Sequence, residues 1–155
     1  MIKPVFLFLI GTLAVVAILV IYRKNYSHVL KNLRIETVEV NGKPLTIEMV
    51  STRTAIRQGL SDRDSMPLDH GMLFKMGETR RHTFWMKGMR FPLDIIWINQ
   101  GTIVDIATLP ASKLGQILAR HQSIEPADKV LELNAGQAEA YGLRVGSITN
   151  LPEFR

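Results

Sequence analysis

Residues 93–109 read LDIIWINQGTIVDIATL, and this stretch decides the fold class. Its first half places Ile95, Ile96, Trp97 and Ile98 in one run, residue types that fit a pleated surface. Asn99-Gln100-Gly101 then offers turn residues, and Thr102–Leu109 reads as a returning strand. The segment therefore predicts a β-hairpin.

A second hairpin stands upstream. Ile35–Val40 alternates Ile, Val and Val with polar residues, Asn41-Gly42 tolerates positive φ, and Leu45–Val50 supplies the return. Further strands are expected over Gly71–Met76, His82–Lys87, Lys129–Leu133 and Val145–Asn150, with turns at Gly77–Arg81 and Gly88–Pro92. Ser51 or Thr52 caps a short helix reaching about Leu60, and Ala135–Tyr141 forms one or two helical turns closed by Gly142. A polar loop spans Ser61–His70, and residues 110–126 hold no firm pattern. The expected fold is mainly β: a small antiparallel sandwich or barrel-like domain with two short helices, over residues 35–155.

The chain of 155 residues opens differently. From Pro4 to Tyr22 no residue is charged, and a helix of that length spans about 28 Å, close to the thickness of a bilayer core. The run ends in Arg23-Lys24 without the small residues of a signal-peptide cleavage site. Residues 1–24 are thus read as an uncleaved transmembrane anchor, residues 25–34 as a linker, and the lipid bilayer as the partner of residues 4–22. Three of the 19 basic residues, Lys3, Arg23 and Lys24, flank this run, so the remainder carries 16 basic against 14 acidic residues. That balance argues against nucleic-acid binding. The absence of cysteine excludes disulfides, thiolate metal sites and a Cys nucleophile.

Several segments together resemble a bacterial and archaeal membrane-associated family, the domain of unknown function numbered 192. They are Arg57-Gln58-Gly59-Leu60, His70-Gly71-Met72-Leu73-Phe74, Phe84-Trp85-Met86-Lys87, Pro92-Leu93-Asp94-Ile95-Ile96 and Val130-Leu131-Glu132-Leu133-Asn134-Ala135-Gly136, followed by Gly142-Leu143 and Gly146. The resemblance covers roughly residues 35–152. It implies a single mainly β, sandwich-like domain that follows a signal peptide or anchor, hence an extracytoplasmic location, and it implies no settled activity. Ser61 and Gly88 stand where the family usually has Met and Asn.

The polar residues of these segments are the site candidates. Asp94 precedes an apolar run, where it either caps a turn, pairs with an Arg, or binds a ligand. Glu132 interrupts Val130, Leu131 and Leu133, so its role depends on whether its strand face meets solvent or a cleft. Lys87 lies in a stretch where Lys75, Arg80, Arg81, Lys87 and Arg90 are opposed only by Glu78. That stretch is either a solvated face or an anion site with Trp85 as its wall.

The leading reading is a membrane-tethered, extracytoplasmic, non-enzymatic binding module for an envelope ligand or protein, using Arg57, Trp85, Lys87, Asp94 and Glu132. Three alternatives accompany it. A hydrolase would use Asp94 and Glu132 as a carboxylate pair. A copper site would draw on Met72, Met86, Met89, His70 and His82, since thioethers and imidazoles suit Cu(I). The chain would otherwise be a structural subunit of a membrane complex. No phosphate loop, zinc motif or nucleophile elbow is present, and no cofactor is expected.

Overall fold

The hairpin at residues 93–109 forms β5 (Leu93–Asn99) and β6 (Thr102–Leu109), paired antiparallel. Gln100 and Gly101 both sit at positive φ, 49° and 82°, as a two-residue turn of the right twist demands. Asn41 and Gly42 repeat the device at φ 49° and 77° between β1 (Arg34–Val40) and β2 (Lys43–Val50). The computed structural model describes residues 34–154. The expected anchor over residues 1–24, and the linker as far as residue 33, lie outside the described residues. Among the described residues no helix is long and apolar enough to cross a membrane.

The remaining elements are α1 (Arg53–Gln58), β3 (His70–Arg80), β4 (Thr83–Trp85), β7 (Arg120–Gln122), β8 (Ala127–Asn134) and α2 (Gln137–Ala140). Six strands build one sheet in the order β1-β2-β3-β8-β5-β6, while β4 and β7 form a separate two-stranded sheet. The domain is mainly β with two short helices, as expected. Two features correct the expectation of an antiparallel sandwich or barrel. The outer strands β1 and β6 do not pair with each other, so no barrel closes. β2 and β3 run parallel, which requires the crossover through α1 and the loop after it.

Three element boundaries also differ from expectation. β3 continues through the expected turn at 77–81 as far as Arg80. The expected last strand, Val145–Asn150, reduces to one isolated bridge between Thr102 and Ile148. The three-residue β7 lies in the stretch that showed no pattern, because Arg120-His121-Gln122 offers no apolar alternation.

Register assigns each strand residue to one face of the large sheet, because directly paired residues project to the same side and successive ones alternate. On one face Leu45, Ile47, Leu73, Leu131, Leu133, Ile96 and Ile98 join Ala138, Tyr141 and Leu143 from around α2 in the main core. Gly71 on β3 is required there: a Cβ at that position would lie 2.6 Å from Leu133 Cδ2 and 3.1 Å from the Glu132 carbonyl. On the other face lie Glu48, Met72, Phe74, Ile95, Trp97, Val130 and Glu132. The small sheet covers part of it, setting the Phe84 ring edge-on to Phe74 at 5.5 Å and to Trp97 at 6.1 Å. The C-terminal end of α1 covers another part through Gly59.

Candidate functional site

The second face holds a cleft of about 440 Å³ between α1 and β4, whose lining includes Arg57, Gly59, Arg80, Phe84, Trp85 and Glu132. Its position follows from local sequence. Thr52 caps α1 by accepting the Ala55 N–H at 3.3 Å, and Gly59 ends it at φ 50°. That stop leaves Gly59 without a side chain directly above the sheet. A Cβ there would lie 3.6 Å from the Phe74 ring and 3.8 Å from Glu132 Oε2.

Glu132 forms the floor. It is 6% exposed, and Oε2 is buried with no hydrogen-bond partner. Its cross-strand neighbours are Met72 and Ile95, so its own row supplies no donor. Desolvation pushes its carboxyl up to about 8 from the usual 4.5, and the Arg63 charge opposes that rise. Arg63 nevertheless binds Glu48, one strand beyond Met72, through two hydrogen bonds of 2.6 and 2.7 Å. Burial thus favours the neutral acid, the form able both to donate and to accept. Trp97 Nε1 and Asn99 Oδ1 are also buried and unpartnered, but neither residue lines this cleft.

The rim is cationic and aromatic. Arg53 and Arg57 on α1 make no side-chain hydrogen bond or ion pair among the described residues. Arg80 reaches Glu78 at 3.5 Å, both groups being exposed. Trp85 is 57% exposed despite its size. The Lys87 ammonium lies 6.0 Å from the Trp85 ring centre, at the outer edge of cation–π range, and Ser61 Oγ donates to the Lys87 carbonyl at 2.9 Å.

Of the five residues expected to share one ligand site, Arg57, Trp85 and Glu132 line this cleft, and Lys87 stands beside Trp85. Asp94 does not join them. It pairs with Leu133 whereas Glu132 pairs with Ile95, so the two carboxyl groups project from opposite faces of the sheet. This overturns the hydrolase arrangement, since no substrate bond can lie between them. Asp94 is committed to structure: Oδ1 accepts from Thr108 Oγ1 at 2.6 Å, and Oδ2 accepts the Ala138 N–H at 2.9 Å, tying α2 to the sheet.

The residues weighed for copper lie on β3 (His70, Met72), just after it (His82) and after β4 (Met86, Met89). Met72, Met86 and Met89 are buried. His70 Nδ1 contacts Asp69 at 2.8 Å, and His82 Nε2 contacts the Glu78 carbonyl at 2.8 Å. Among the described residues no group of three His, Asp or Glu side chains could hold a metal. Arg80 comes from the basic stretch read as a candidate anion site with Trp85 as its wall, whereas nothing in the sequence points to Arg53.

The fold and site define a mixed-sheet domain with a cleft over a buried acid. The chain belongs to the DUF192 family, described as Uncharacterized ACR, whose pattern matches residues 36–150. Among solved structures it is similar to a Sinorhizobium meliloti 1021 protein provisionally called a transcription regulator, with 37% identity and a TM-score of 0.60, covering 75% of this chain and 90% of that one. It is also similar to a Novosphingobium aromaticivorans DSM 12444 protein of unknown function, with 26% identity and a TM-score of 0.58, covering 74% and 81%. No curated protein matches the chain.

Proposed function

We propose that this chain is a membrane-tethered, extracytoplasmic binding module that takes a small ligand into the cleft over Glu132. One observation carries the reading: a buried acid with an unpartnered carboxyl oxygen lies in the lining of a cleft. Buried polar groups in folded proteins nearly always hold hydrogen bonds, and a ligand would supply the missing one. The uncharged run at residues 4–22 supports the tether, and the family resemblance supports export. A reporter fused after Arg155 should be active outside the cytoplasm; activity only in the cytoplasm refutes export and leaves the cleft untouched.

The cleft is tested by NMR on the labelled full chain in detergent, against a fragment panel of benzoate, benzamide, benzylamine and methyl glucoside. Shifts should concentrate at Gly59 and the Trp85 indole and vanish in Glu132→Leu. A panel that leaves both signals unmoved refutes the cleft as a ligand site. The structural-subunit reading is favoured by the fully exposed Leu114 and Ile117 in the 110–119 loop. Recovery of one stoichiometric partner by pull-down from mild detergent, lost in Leu114→Ser/Ile117→Ser, is its expected result.

A further inference from the structure

We propose that the ligand of this cleft is an organic carboxylate with a flat apolar body, its carboxylate held by the Glu132 carboxyl and the arginines of the rim. This rests on the reading of the cleft as a ligand site and adds the ligand's chemistry. Three features of the lining select that class.

The first is charge. Arg53, Arg57 and Arg80 face a single acid in the lining, Glu132. A cationic ligand would meet three like charges at the entrance, whereas an anion is drawn in. The second is the floor. A protonated carboxyl donates a short, charge-assisted O–H···O⁻ bond to a carboxylate, which then satisfies the buried acid. Burial favours the protonated form of Glu132, and the titratable and charged groups around it are Glu48 on β2, Arg63 after α1, Arg53 and Arg57 on α1, Arg80 on β3, and His82 after β3. The third is the wall. Phe84 and the half-open Trp85 present aromatic surface beside the acid, with Ile56 and Met76 completing an apolar lining. Such a surface stacks on a planar body and gives little to a small inorganic anion.

Benzoate, benzamide and benzylamine share one ring and differ in charge, so they separate this proposal from the cleft reading. They are titrated at pH 6.5 into the full chain in detergent, with the Gly59 amide and Trp85 indole as reporters. Benzoate should bind at least about tenfold more tightly than either analogue, the scale of one charge-assisted hydrogen bond. Arg57→Ala/Arg80→Ala should weaken benzoate by about tenfold or more and leave benzamide unchanged. Glu132→Gln, which keeps a donor and an acceptor, should still bind, whereas Glu132→Leu should not.

Benzamide or benzylamine binding as well as benzoate overturns the carboxylate and leaves the cleft standing. Benzoate binding that ignores the arginine substitutions also overturns it. If no member of the panel moves either reporter, both readings fall. A folded spectrum for each variant shows that a lost site is not a lost fold.

Discussion

Glu132→Gln should make the domain more stable, by an amount set by pH. Glutamine preserves the shape of the side chain and removes its charge. In the folded protein the carboxyl is buried and titrates at about 8, against 4.5 when free. Between those values the folded chain keeps a proton that the unfolded chain releases, so stability falls as pH rises. The slope is about 1.4 kcal/mol per pH unit, and the whole window amounts to roughly 5 kcal/mol. Below pH 4.5 both states are protonated and the penalty is absent; above 8 it is complete. Urea unfolding of the full chain in detergent, at half-unit steps from pH 5 to 9, measures it. The difference between variant and parent should widen by about 1.4 kcal/mol per unit up to pH 8 and then level. Every other titrating group is common to both proteins and cancels. Parallel stability curves would refute the burial argument for Glu132.

Arg63→Met should push the Glu132 carboxyl higher still, because Arg63 opposes its rise, and should free Glu48 from its two bonds; an NMR titration of the Glu132 side chain reads the shift. Asp94→Ala should cost about 1–3 kcal/mol in urea unfolding by orphaning the Ala138 N–H, with faster amide exchange at α2. Gly71→Ala should destabilise by about 1–3 kcal/mol, since the added methyl meets Leu133 Cδ2 at 2.6 Å, and combined with Leu133→Ala the loss should be smaller than the sum of the two single losses.

Much of the fold was legible because tight turns and alternation are local. Asn41-Gly42 and Gln100-Gly101 marked two hairpins, and Ser51-Thr52 marked the start of α1, with Thr52 the residue that caps it. Strand order was not legible, because β8 inserts between β3 and β5 through contacts distant in sequence. The same limit governed the site. Glu132 and Asp94 look alike as acids set among apolar strand residues, and only register reveals that they face opposite ways. Arg57, Trp85 and Glu132 come together from a helix, a short strand and a central strand, and no single stretch of sequence announces that meeting.

The contrast between these two acids is the reason the proposed site is built on Glu132 and not on Asp94. Asp94 shows how this fold uses a buried carboxylate: both oxygens accept hydrogen bonds, and the side chain joins a helix to the sheet. Glu132 does none of this. Met72 and Ile95 flank it, the nearest acid on its row is Glu48, and the adjacent guanidinium is already engaged with that residue. An apolar side chain at position 132 would fill the same space without leaving a buried polar oxygen unpartnered. On the proposed reading the partner that Glu132 lacks comes from the cleft, and the three arginines of the lining favour an anion there.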